Sequence, residues 1–89
     1  MEKIVLDGKN MCDKAQAHAY IAEKLSFPEY YGANLDALWD CLGELPRGSS
    51  ILLINREALL MSLGDYGKRL LNTFLQSAME TEVFTFEME

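Results

Sequence analysis

Two short apolar runs and one alternating segment mark the chain as carrying three strands. Lys3-Ile4-Val5-Leu6-Asp7, followed by Gly8, reads as a buried strand. Ile51-Leu52-Leu53-Ile54-Asn55 is nearly all apolar, the pattern of a central strand in a parallel sheet covered by helices. Val83 to Met88 alternates, with Val83, Thr85 and Glu87 on one side and Phe84, Phe86 and Met88 on the other.

Between these segments the apolar period changes from two to that of a helix. Asp13 is a good N-cap for a helix over residues 14–25, with Ala15, His18, Ala22 and Leu25 on one face, widened by Ala19 and Ile21. Pro28 disfavours a helical Phe27, so residues 27–34 read as a loop, in which Gly32 is free to take a positive φ. Asn34 is placed to cap a second helix over 35–42, which Gly43 to Ser50 ends and connects onward. A short helix over 56–63 stops at Gly64, and Asp65 caps a longer one that buries Leu70, Leu71, Phe74, Leu75 and Ala78. The order β-α-α-β-α-α-β predicts an α/β fold, a small three-stranded parallel sheet packed with about four helices, in a single domain over residues 1–89.

Charge narrows the function. Eight basic against fourteen acidic residues give a net charge of −6, which opposes direct binding to a nucleic-acid backbone and favours a basic partner. At 10.1 kDa the folded chain should expose roughly 5,300 Å², room for one protein interface and little for a deep substrate pocket as well. A binder is expected rather than an enzyme.

The two cysteines, Cys12 and Cys41, form no CxxC pair and are too few for a disulfide framework. Both read as structural thiols. His18 is the sole histidine and sits at a core spacing, with no second ligand at metal-binding distance in the sequence; no metal or cofactor is expected. The segment Met1 to Asp7 reads as neither a signal peptide nor a membrane span, which predicts a cytoplasmic protein with reduced thiols.

The chemistry concentrates between Pro28 and Glu44. At about 100° per residue, Leu35, Leu38 and Leu42 share one side of the second helix. Asp36, Asp40 and Glu44 stand nearly opposite, and Trp39 lies at the seam beside Asp36. A solvated acidic face is the plain reading of such a pattern. Against it, Asp36 and Asp40 repel at i, i+4, and Tyr30, Tyr31 and Trp39 gather interface-prone aromatics around them. Two acids on a convex helix lack the cleft, about 5–10 Å across, that glycosidase chemistry needs.

The run Pro28-Glu29-Tyr30-Tyr31-Gly32, then Asn34-Leu35-Asp36-Ala37-Leu38-Trp39-Asp40-Cys41-Leu42, resembles the core segment of the barstar family of intracellular ribonuclease inhibitors. The remainder is similar in length, element order and apolar pattern. The resemblance implies that the second helix and its entering loop plug the active site of a guanyl-preferring, barnase-type microbial ribonuclease. It implies that Tyr30 packs against the catalytic region and that Gly32 and Asn34 supply contacts at the helix start. Asp36 would pair with basic groups, Trp39 would pack at the interface, and Asp40 would place its oxygens where an RNA phosphate lies.

Two positions depart from the family pattern. Its acidic contact on the last helix falls on the neutral Gln76, and its aromatic after the second helix is missing, since Gly43 leads into Glu44-Leu45-Pro46. These departures keep a rival open: a barstar-like module that binds another basic partner or its own kind. As an inhibitor, the protein is expected to act as a monomer.

Overall fold

The computed structural model describes residues 3–89; Met1 and Glu2, the start of the segment weighed above as a possible leader, lie outside the described residues. Three strands and four helices follow in the order β1 (Lys3–Asp7), α1 (Lys14–Leu25), α2 (Leu35–Leu42), β2 (Ser49–Ile54), α3 (Arg56–Leu63), α4 (Asp65–Thr81) and β3 (Phe84–Met88), with one 3-10 turn over Gly8–Asn10 after β1. The sheet order is β1-β2-β3, and both neighbouring pairs are parallel, Leu6 opposite Leu53 and Ile51 opposite Phe86. The α/β architecture read from the sequence is the one observed.

The central strand is covered on one face only. Leu6, Ile51, Leu53 and Phe84 are buried on that face, and they join Ile21, Leu38, Leu59 and Phe74 from the four helices in one cluster. On the other face Val5 is 40% exposed, while Lys3, Thr85 and Glu87 are exposed and Ser50 and Leu52 half-buried. The helices that cover the sheet do so on this one face, because the apolar stripe of each meets the same cluster.

Element ends differ where local hydrogen bonds decide them. β2 starts at Ser49, two residues before the apolar run, because its hydroxyl donates to the Pro46 carbonyl at 2.6 Å and lets a polar residue sit buried. Asn55 is not in the strand; it takes a left-handed conformation, φ 55°, before α3. Asp65 does not cap α4. It is the first helical residue, and Gly64, at φ 58° and ψ −130°, makes the corner between α3 and α4. The buried face of α1 is Ala17, His18, Ile21 and Leu25, with Ala15 and Ala19 exposed, so it is rotated from the face expected. In α4, Leu75 and Ala78 are half-buried, and Gly67 and Ser77 take buried places instead.

Gly8 is required by a close approach. A Cβ built there would overlap the backbone carbonyl of Asn55. The same corner is tied by Asp7, which accepts from the Lys9 amide and from Asn55 Nδ2, each at 2.9 Å. Those bonds, the one from Asn55 foremost, lower the Asp7 carboxyl's pKa.

Candidate functional site

The loop that carries the aromatics is built by two end devices. α1 stops because Ser26 turns left-handed, φ 58°. The Phe27 amide then donates to the Ala22 carbonyl at 2.9 Å and the Ser26 amide to Glu23 at 3.4 Å, a Schellman closure with serine in the place glycine usually takes. The Tyr31 amide donates back to Pro28 at 3.0 Å. At the other end Asn34 Oδ1 accepts from the Ala37 amide at 2.8 Å and its Nδ2 donates to the Gly32 carbonyl at 3.3 Å. The left-handed residue is Ala33, φ 53°, not Gly32. The left-handed turn thus falls one residue after the glycine expected to take it, spanned by the bond from Asn34 Nδ2 to the Gly32 carbonyl.

This geometry holds Tyr30 out and Tyr31 in. Tyr30 is 86% exposed, an aromatic ring left in water by a loop hydrogen-bonded on either side of it. Tyr31 is half-buried against Phe27, ring centroids 5.0 Å apart. Its hydroxyl lies 2.6 Å from His18 Nδ1, and the other ring nitrogen, Nε2, lies 2.6 Å from the Tyr66 hydroxyl. Tyr31, grouped above with the partner-facing aromatics, thus has its hydroxyl committed inside the molecule. Burial raises the pKa of both phenols and lowers that of His18, which favours the neutral imidazole, and each ring nitrogen has a hydroxyl partner. Tyr66 was not foreseen, since it lies 48 positions from His18 in the chain.

α2 stands on Leu38 and Leu42, both fully buried, each contributing about 1.5–3 kcal/mol by burial. That anchoring fixes which way the opposite side points: Asp36, Asp40 and Glu44 are exposed, and Trp39 is half-buried between the two sides. The helix ends at Leu42; Gly43 keeps a helical conformation, φ −67°, and the Glu44 amide donates to the Cys41 carbonyl at 3.1 Å, so Glu44 continues the acidic row. Asp36 sits in the first turn, where the helix dipole favours a carboxylate. Asp40 has no such support. It lies near the C-terminal, negative end, one turn from two other acids.

Cys41 lies half-buried beside this row, and burial together with the Glu44 and Asp40 charges raises its thiol pKa. An unactivated thiol agrees with a structural role. Cys12, read above as a structural thiol, is exposed and precedes α1. A groove of about 710 Å³ is lined by Tyr30 and Glu44 together with Lys24, Phe27, Cys41 and Pro46. Among the described residues no group of three His, Cys, Asp or Glu side chains could hold a metal ion, and no helix is long and apolar enough to cross a membrane.

The structure therefore brings Tyr30, Gly32, Asn34, Asp36, Trp39, Asp40, Gly43 and Glu44 onto one loop-and-helix unit. Gln76 lies on α4, a helix that packs against α2, where it is exposed and about 160° around the helix from Phe74 at 100° per residue.

Comparison with known proteins identifies the family. The family model described as Barstar (barnase inhibitor) matches residues 1–89. A Bacillus subtilis (strain 168) protein named "Putative ribonuclease inhibitor YrdF" is 41% identical over 81 residues, covering 90% of this chain and 88% of that protein. Family membership over the whole length makes this chain kin to inhibitors, not enzymes, and it belongs to the barstar family.

Proposed function

We propose that this protein inhibits a basic, barnase-type ribonuclease by filling its active site with α2 and the loop before it. The observation that carries this reading is Asp40, an exposed carboxylate kept where the helix dipole, Asp36 and Glu44 all disfavour it. A basic partner removes that conflict. A ribonuclease site must bind a phosphodiester and stabilise added negative charge, so it presents arginine, lysine and histidine. Carboxylates of Asp40 and Asp36, pre-arranged on a helix anchored by Leu38 and Leu42, offer those cations charge-assisted hydrogen bonds. Tyr30 and Trp39 add apolar contact that excludes water and strengthens the pairs.

The surface is large enough. The chain exposes 5353 Å², and a standard interface would take about a sixth of it, roughly 800 Å². Opposite net charges steer the encounter, so association slows as salt rises. The inhibitor acts as a monomer in the cytoplasm, protecting the cell from a ribonuclease made within it.

The test is titration of the protein into a barnase-type ribonuclease while RNA cleavage is followed, with Asp40→Ala alongside. Stoichiometric inhibition lost in the variant supports the reading. No inhibition by a micromolar excess overturns it. The neutral Gln76 favours the second reading, a different basic partner for the same helix, which selective binding to another enzyme within a panel of basic proteins would reveal.

A further inference from the structure

The groove that adjoins the acidic helix carries the opposite charge. Its lining comes from the end of α1, the loop, the end of α2 and the start of β1, and Tyr30 and Glu44 belong both to it and to the loop-and-helix unit. Among the described residues that line it, Glu44 is the one acid, against Lys3 and Lys24, both exposed. On a chain of net charge −6 this is a local reversal of sign. The dipole of α1 favours a cation in its last turn, which accounts for Lys24. It does not account for Lys3, which reaches the same groove from β1. Phe27 and Pro28 give the groove an apolar wall. We propose that this groove is a second contact for the bound ribonuclease: a loop at the rim of the enzyme's active site sets a carboxylate against Lys24 and an apolar side chain against Phe27 and Pro28. This rests on the ribonuclease reading for the partner's identity and deepens it by naming what the partner carries outside its basic centre.

The sign of the charge decides the occupant. Tyr30 is 86% exposed and lines the groove, so a partner packed on that ring stands at the groove as well. A wholly basic surface there would face Lys24 and Lys3, and like charges juxtaposed at an interface are penalised. Salt relieves little of this, because the contact falls inside the Debye length of about 8 Å. A carboxylate turns the penalty into a charge-assisted hydrogen bond. A second copy of this chain would also bring acids, but two molecules of net charge −6 repel over the rest of their surfaces. A basic ribonuclease with one acidic place on its rim gains on both counts. The groove thus selects among basic proteins, refusing those whose rim is cationic throughout and holding those with an acid at this place.

The experiment times association and dissociation of the full chain with a barnase-type ribonuclease that the unaltered protein inhibits. Lys24→Gln and Lys9→Gln each remove one positive charge, and Lys9, in the turn after β1, serves as the control. Net charge alone makes the same prediction for both: a more acidic inhibitor meets a basic enzyme faster and leaves it no faster. The groove predicts that Lys24→Gln alone speeds dissociation, by about tenfold, the worth of one charge-assisted hydrogen bond. Lys24→Arg should keep the slow rate. Equal dissociation of Lys24→Gln and Lys9→Gln overturns the proposal. In a double-mutant cycle the rim carboxylates of the ribonuclease are replaced one at a time by amides. One replacement should abolish the effect of Lys24→Gln, and coupling at none of them is equally fatal. A free protein that sediments as a dimer, broken by Lys24→Gln, would give the groove to a second copy instead. If the unaltered protein inhibits no such ribonuclease, the ribonuclease reading falls and this occupant with it, an outcome distinct from inhibition that ignores Lys24.

Discussion

Asn34 and Ala37 are joined by a 2.8 Å hydrogen bond, the Ala37 amide donating to the Asn34 side-chain oxygen, and this bond sets where the loop ends and the acidic helix begins. One of the four unpaired amides at the start of α2 is thereby satisfied. In a helix of only eight residues, Leu35–Leu42, the first turn is half the element, so the cap governs the placement of Asp36 as well as the folding of the loop.

Asn34→Ala is therefore expected to lower stability by about 1 kcal/mol, the usual worth of an N-cap. Ribonuclease affinity should fall with it, since the helix start frays. Urea denaturation and binding measured on the same variant check both. Asn34→Asp, which keeps the acceptor, should restore most of the stability.

Removing the central carboxylate should separate binding from folding. Asp40→Ala is expected to cost about 2 kcal/mol or more of affinity, the interface hot-spot range, to which a barstar aspartate itself contributes. Stability should hold or rise by a few tenths of a kcal/mol, since a like-charge i, i+4 contact is relieved. Calorimetric binding together with thermal unfolding reads the two effects. A variant that loses stability and keeps affinity would contradict the placement of Asp40 at the interface.

Much of this is legible in the sequence. The helix limits at Asn34 and Leu42 followed from a capping residue and a glycine, and the outward aspartates from the spacing of three leucines. These are local signals. The missed features depend on partners far along the chain or on which of several residues takes a strained turn. Tyr66 reaches His18 from 48 positions away. Ala33 adopts φ 53° beside a glycine that does not. The open face of the sheet could not be read from Ile51-Leu52-Leu53-Ile54, because an apolar run looks the same whether one face is covered or two.

Tyr30→Ala tests the exposed ring. At 86% exposure the ring has almost no packing to lose, so stability should change by no more than about 0.5 kcal/mol. Affinity for the ribonuclease should drop by about 1–2 kcal/mol or more, as for aromatic anchors generally. Equal affinity in the variant would remove Tyr30 from the interface.

Gly8→Ala probes the close approach between β1 and β2 at their C-terminal ends. The added methyl would collide with the Asn55 carbonyl, so strand ends joined through Asp7 and Asn55 must move apart. Overpacking of this kind costs about 1–3 kcal/mol. Denaturant unfolding should record that loss, with inhibition intact where the variant is folded, because α2 and its loop lie apart from this corner in sequence.

The pH dependence of stability turns on His18. Burial lowers its pKa in the folded state, so between the unfolded value, about 6.5, and the lower folded one the unfolded chain binds more protons. Stability then rises with pH across that window. It is fully present above the unfolded value and lost as the pH falls from there through the folded one. His18→Gln keeps a donor and an acceptor for Tyr31 and Tyr66 without a titrating group, and its stability should be flatter between pH 7 and 5. The asymmetry distinguishes this from loss of the Asp7 contacts, whose lowered pKa withdraws stability only as the pH falls from the ordinary carboxylate value through the lower folded one. Unfolding free energies measured at half-unit steps from pH 7.5 to 3 resolve the two windows, and a profile for His18→Gln that parallels the unaltered protein above pH 5 would exclude His18 as the source.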